Sequence, residues 1–159
     1  MQYAIVTISH KNLLSKIIQF FTGSKWDHVA FYIERFFMDG VEKKDTIVEI
    51  NLGGVQLHSL ETYKKDKDIV IHKNTPKINL GKALGFIVSN RHKRYDFLRT
   101  LFFFYRSKDV NSKETWNCIE FIEELFRHQD IELFEGKKLT PGQINKKLSS
   151  KDDIIIRNK

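Results

Sequence analysis

The sequence predicts an α+β domain, and three observations carry that reading. Apolar segments with the period-two alternation of strands gather in the first half of the chain, and another returns at its end. Segments with helical spacing fill most of the stretch between. Two of the early strand segments flank a polar stretch that contains Asp39-Gly40, which makes them partners in a hairpin. At 159 residues, with no break in composition, no internal repeat and no low-complexity tract, the expectation is one domain over residues 1–159.

Residues 3–8 (YAIVTI) form the first strand. Asn12 stands where it caps a helix LLSKIIQFF, in which Leu13, Ile17 and Phe20 or Phe21 keep helical spacing, and Gly23 ends it. In SKWDHVAFYIE, His28, Ala30 and Tyr32 face one way and Val29, Phe31 and Ile33 the other, so the segment is a strand. A polar loop over about 34–45 leads to its partner TIVEINL. Gly53-Gly54 breaks that strand, VQLHSL follows as a short extended piece, and ETYKKDKD turns into the strand DIVIH. Asn79 or Gly81 starts a helix KALGFIVSN, a second helix runs from Tyr95 to Tyr105, and a third spans Asn117–His128. Thr140-Pro141, an N-cap followed by proline at the first helical position, opens GQINKKL, and the chain closes on the strand DIIIR.

Composition bounds the function. Hydrophobic residues make up 41% and charged residues 30%, with only 2 prolines, a balance that folds rather than stays disordered. The opening MQYAIVTISHK has no basic n-region and no small-residue cleavage site, so it reads as a strand and not as a signal peptide. The longest apolar run, Leu101 to Tyr105, is far short of the roughly 20 residues that span a bilayer. A lone cysteine makes no internal disulfide and fits a reducing compartment, so the expected location is cytoplasmic. The net charge of +7, with basic clusters at 64–67, 91–94, 137–138 and 146–147, favours anionic partners such as a membrane surface or an acidic cell-wall polymer, although scattered lysine pairs are also ordinary solvated surface. Nucleic acid is disfavoured, because no recognition module is present and the aromatics lie in apolar runs rather than among the basic clusters. No CxxC, HExxH, P-loop or GxGxxG occurs, so neither a metal nor another cofactor is expected.

The chemistry centres on TWNCIEFIEELF, residues 115–126. Cys118, Phe121, Ile122, Leu125 and Phe126 recur at the spacing of one helix face, and periodicity alone would make Cys118 core filling. Its place in the first turn points elsewhere: unpaired backbone N–H groups and the positive end of the dipole favour a thiolate there and can hold an oxyanion. A thiolate nucleophile needs a base, and the base needs an orienting partner. His10, His58, His72, His92 and His128 sit at element ends or in polar stretches, whereas His28 opens the apolar strand HVAFYI at a mouth that can face a cleft. A symmetric hairpin loop over 34–43 makes opposed residues sum to about 77, which sets His28 across from Glu49, the one charged side chain within TIVEINL. Glu49 is then the orienting carboxylate, with Asn51, two residues on and on the same face, in reserve.

These segments resemble a known family. The strand WDHVAFYI, preceded by a helix and FFTGSKW, looks like the S-H-V-G/A-I-Y-I segment of the NlpC/P60 superfamily. In its circularly permuted branch, the YaeF/YiiX-like papain-fold hydrolases, the histidine strand precedes the cysteine helix, as here. IVEINLGGVQLHSLETY is similar to the branch's glutamate strand, G-V, short strand and Leu-x-x-Tyr; RYDFLRTLFFF is similar to its Tyr-Asp helix and NCIEFIEELF to its nucleophile helix. The likeness runs from about Tyr3 to about Leu148 as ordered short motifs.

The resemblance implies a circularly permuted papain-like (NlpC/P60) fold, an antiparallel sheet packed against helices. It also implies a cysteine hydrolase that cleaves an amide or ester acyl bond through a thioester. Cys118 would be the nucleophile, His28 the general base, Glu49 the orienting residue, and Tyr95, just before Asp96, would touch substrate or the oxyanion. Two positions depart from the pattern: Asp27 replaces a commoner small residue, and Asn117 precedes the cysteine. Asn117-Cys118 is also similar to the N-C-E-H-F segment of lecithin:retinol acyltransferase-like lipid enzymes, interrupted by Ile119-Glu120. The substrate class therefore stays open among a peptide, an isopeptide, a lipid and an acyl thioester. A lipid acyltransferase or phospholipase of the same fold, with a cleft walled by apolar side chains around 97–105, is the alternative, and an inactive binding module of the same fold is a further one.

Overall fold

The structure, a computed structural model, describes residues 2–95 and 115–157. Along the chain run β1 (Tyr3–His10), α1 (Leu13–Thr22), β2 (His28–Met38), β3 (Val41–Asn51), β4 (Gly54–Ser59), α2 (Leu60–Tyr63), β5 (Lys67–His72) and α3 (Leu80–Ser89). After these come β6 (Arg94–Tyr95), β7 (Thr115–Trp116), α4 (Cys118–Arg127), α5 (Pro141–Leu148) and β8 (Ile154–Ile156). One antiparallel sheet takes the order β4-β3-β2-β1-β5-β8, and β6 pairs β7 in parallel.

Alternation in the strands divides the apolar side chains between two faces. Ile5, Val29, Phe31, Ile33, Val48 and Ile50 face α3, α4 and α5, whose Phe86, Ile87, Phe121, Ile122, Leu125, Phe126 and Ile144 complete the larger core. Ala4, Val6, Ile8, Ala30, Tyr32 and Ile47 face the other way, against Tyr63 and Leu60 of α2. The outward Glu123 of α4 has its carboxyl pushed up to about 7 by partial burial, with Glu120 and Glu124 adding to the shift and Arg127 opposing it.

Two expectations are corrected. The stretch expected as a polar loop is strand: β2 and β3 run on to Met38 and Val41, and Asp39 (φ 53°) and Gly40 (φ 74°) alone make the turn. That two-residue, left-handed turn is the one that matches strand twist, and Arg35–Glu42 and Lys44–Glu42 ion pairs at 3.2 Å line the solvated extension. Tyr95 does not open a helix, since it lies in β6 opposite Trp116, and the rest of the expected 95–105 helix lies outside the described residues. Helix α1 forms as read, with Asn12 accepting from Ser15 N–H at 2.8 Å and Gly23 left-handed at its end. Its periodic stripe, however, points outward: Leu13 is 75%, Ile17 38%, Phe20 82% and Phe21 56% exposed. Polar groups on the opposite face decide the orientation. Gln19 Nε2 donates to Asp27 Oδ1 at 3.1 Å and to the His10 carbonyl at 3.2 Å, which turns that face inward.

Candidate active site

Helix α4 begins on a complete capping box. Asn117 Oδ1 accepts from the N–H groups of Ile119 and Glu120 at 2.9 Å each, and Glu120 Oε2 accepts from Asn117 N–H at 3.0 Å. The ladder starts at Phe121 N–H on the Asn117 carbonyl, 3.0 Å. The N–H of Cys118, first in the helix, has no acceptor among the described residues. Downstream, Phe126 stands edge-on to Phe31 of β2 with ring centroids 6.2 Å apart, so the buried stripe fastens the helix to the histidine strand. Asn117 thus holds the first turn in place.

The same geometry brings Cys118, His28 and Glu49 together, each under 8% exposed. The β2–β3 register sums to 79, not 77: Phe31 pairs Val48 and Ile33 pairs Thr46. Continued to the strand ends, it sets His28 across from Asn51 and Glu49 across from Ala30. Glu49 therefore reaches His28 diagonally along one face, within the span of a glutamate side chain. Glu49 Oε2 lies 2.9 Å from His28 Nε2, off the line of the ring N–H, so the contact is one of charge more than a linear hydrogen bond. With Nε2 turned to the carboxylate, Nδ1 is the nitrogen available to the Cys118 thiol.

Electrostatics follow from this packing. Burial works against an imidazolium at His28, but the charge and hydrogen bond of Cys118, joined by the nearby Glu49 carboxylate, outweigh it and hold the His28 pKa well above its ordinary value. Burial likewise opposes the Glu49 carboxylate, yet His28, Tyr63 and Asn51 hold its pKa far below the usual range. Tyr63 OH donates to Glu49 Oε2, and Asn51 Nδ2 donates to Oε1 at 2.9 Å, so Asn51 steadies the carboxylate instead of replacing it. His58 Nε2 approaches Oε1 at 3.3 Å. The Tyr63 hydroxyl, buried beside this carboxylate, has its pKa raised.

Two groups that the sequence reading set aside join the site. His10 Nδ1 meets Asp27 Oδ2 at 2.7 Å, its N–H donates to Asp27 Oδ1 at 2.8 Å, and its ring stands edge-on to His28 with centroids 5.6 Å apart. Burial penalises the Asp27 carboxylate, but the His10 contacts and Ser15 keep its pKa lowered. Asp27 is therefore a clasp that joins β1, α1 and the mouth of β2. His72, also left as a surface or satisfied histidine, is fully buried in a different network, on Thr7 and Asp153.

A cleft of about 390 Å³ opens on the pair from the imidazole side, with His10, His28, Glu49, Asn51, Leu52 and Tyr95 among its walls. Cys118, 4% exposed, does not line it. Tyr95 reaches the cleft because Gly54, at φ +89°, lets the preceding chain pass close: a Cβ there would lie 2.9 Å from the Lys93 carbonyl. The apolar wall expected from 97–105 lies outside the described residues. Tyr63 and His58 were missed as site residues, though a tyrosine in the Leu-x-x-Tyr segment and a histidine on the strand next to Glu49 were both visible signals.

No family model and no curated protein matches the chain. Among solved structures, that of the metalloprotein yiiX from Escherichia coli O157:H7, DUF1105, is similar over 99% of this chain and 97% of that one, with a TM-score of 0.61 at 12% identity. Among the described residues of this chain, no group of three or more His, Cys, Asp or Glu side chains is arranged to hold a metal ion. At this identity the likeness speaks for architecture alone: the chain has a yiiX-like, mixed α+β fold with an antiparallel sheet.

Proposed function

We propose that the chain is a circularly permuted papain-like domain of the NlpC/P60 type and acts as a cysteine hydrolase on an amide or ester acyl bond. One observation carries the reading: a buried Cys118–His28–Glu49 series at a capped helix start, beside a cleft. His28 takes the thiol proton at Nδ1, and the Cys118 sulfur attacks the substrate carbonyl. The N–H of Cys118, which has no acceptor among the described residues, holds the oxyanion that forms. His28 then returns the proton to the leaving amine or alkoxide as the C–N or C–O bond breaks, leaving a thioester on Cys118. Water, deprotonated by His28, attacks the thioester, and the released thiolate regains its proton. Glu49 holds the imidazole with Nε2 protonated throughout and offsets its positive charge. Tyr95, on the cleft wall, contacts the bound acyl group.

The test is acylation and turnover with short-chain p-nitrophenyl esters and acyl thioesters. Wild type should gain the mass of one acyl group at Cys118 and release acid. Cys118→Ser and His28→Ala should lose about 10³-fold or more in turnover with unchanged circular dichroism. Wild-type rates in both variants would sink the assignment.

A further inference from the structure

We propose that the outward face of α1 docks on an anionic lipid bilayer, so that the cleft takes its acyl substrate from the membrane surface. The substrate half of this statement rests on the hydrolase reading above; the docking half does not.

Helix α1 is amphipathic in reverse. Of the large side chains of α1, Leu13, Ile17, Phe20 and Phe21 form one stripe open to solvent, while Ser15 and Ile18 are buried and Gln19 is tied to Asp27. Phe20 and Phe21 stand edge to face on each other within that stripe, centroids 5.5 Å apart. Contiguous apolar surface of this kind marks a contact with an apolar phase or partner.

Charge decides which. From Lys11 through Trp26 the sequence carries three lysines, Lys11 included, and no acidic residue. Lys11 and Lys16 are exposed beside the stripe, and the chain as a whole bears +7. A second copy seated face to face would bring these lysines together, whereas anionic headgroups complement them while acyl chains receive the phenylalanines.

Position supplies the link to chemistry. The opposite side of the same helix, through Leu14, Ser15 and Ile18, forms a wall of the cleft that holds His28 and Glu49, and Leu52, 70% exposed, stands on that cleft as well. Asp27 binds helix and catalytic strand into one unit through Gln19 and His10. A bilayer against α1 therefore lies about one helix width from the cleft.

The experiment is co-sedimentation of the full chain with large vesicles of phosphatidylcholine, with and without about one third phosphatidylserine. Wild type should bind the phosphatidylserine vesicles and be released by salt. The Phe20→Glu/Phe21→Glu and Lys11→Glu/Lys16→Glu variants should each bind about tenfold more weakly or worse, with unchanged melting temperature and unchanged turnover of a soluble short-chain ester. Cys118→Ala should bind as wild type does. Absence of vesicle binding, equal binding to pure phosphatidylcholine, or full binding by either double variant overturns the proposal. So does a dimer in light scattering that Phe20→Glu/Phe21→Glu splits, since the stripe would then be a contact between copies. A wild type that binds vesicles but turns over no acyl compound leaves the docking face standing and counts against the hydrolase reading alone.

Discussion

Glu49 receives four side chains on two oxygens: His28 and Tyr63 at Oε2, Asn51 and His58 at Oε1. Glu49 keeps a charge where burial opposes one, and that charge holds the His28 ring. Glu49→Gln preserves the shape and removes the charge, so kcat should fall about 10²- to 10⁴-fold with little change in KM. Tyr63→Phe deletes one hydrogen bond to a charged group, worth about 2 kcal/mol, and should cost kcat about tenfold to thirtyfold. The pH dependence has a defined sign. Glu49 has a folded pKa below its ordinary 4.5, so its contribution to stability is present above pH 4.5 and is lost as pH falls toward the lower folded value. His28 has a folded pKa above its ordinary 6.5, so its contribution is complete below pH 6.5 and is lost as pH rises through the higher folded value. Denaturant midpoints should show wild type gaining most over Glu49→Gln between about pH 4.5 and 6.5, and a constant difference across pH 2–10 would refute the linkage. The His28–Glu49 pair was legible in sequence even though the register was two residues off. A shift of two keeps every side chain on its face, while a shift of one would have separated the pair. Tyr63 and His58 were harder to read, because their approach to Glu49 depends on how β4 returns after Gly53-Gly54.

At the scale of elements, α4 shows how a helix start is held in place. Asn117→Ala removes both cap bonds and should lower stability by about 1 kcal/mol, or a melting temperature by about 3 °C. Because the same bonds fix the turn that carries Cys118, iodoacetamide should alkylate the variant at a changed rate, and Asn117→Asp, which keeps the cap, should restore it. An unchanged alkylation rate in the alanine variant would confine Asn117 to stability. The capping box and the stripe behind it were readable from Asn117, Glu120 and the spacing of Phe121, Ile122, Leu125 and Phe126. In α1 the helix was legible in the sequence but its orientation was not. Periodicity says which side chains share a face, and what that face meets depends here on Gln19 and Ser15 finding Asp27, a contact between segments.

The whole molecule closes through a second buried histidine that the site does not use. His72 Nδ1 meets Asp153 Oδ2 and its Nε2 meets Thr7 Oγ1, both at 2.9 Å, and Thr7 Oγ1 donates to Asn145 Oδ1 at 2.9 Å. Asp153 also accepts from Lys73 N–H and Ser150 N–H at 3.1 Å each. The network thereby joins β1, β5, α5 and the approach to β8, which covers the edge of β5. The order of strands at that edge was not legible, since the strand DIIIR is plain in the sequence but its partner is chosen by this polar clasp. Asp153→Ala leaves a buried imidazole nitrogen unpaired and should cost about 2 kcal/mol, near 6 °C in melting temperature, while Cys118 alkylation stays within about twofold of wild type. His72 also titrates in the opposite sense to His28. Burial lowers its folded pKa below 6.5 despite Asp153, so the unfolded chain takes up the proton first and stability falls as pH drops below 6.5. His72→Gln, which cannot titrate, should therefore lose less stability than wild type between pH 6.5 and 5 in denaturant titrations. Parallel losses in the two proteins over that range would show that another group sets the acid flank.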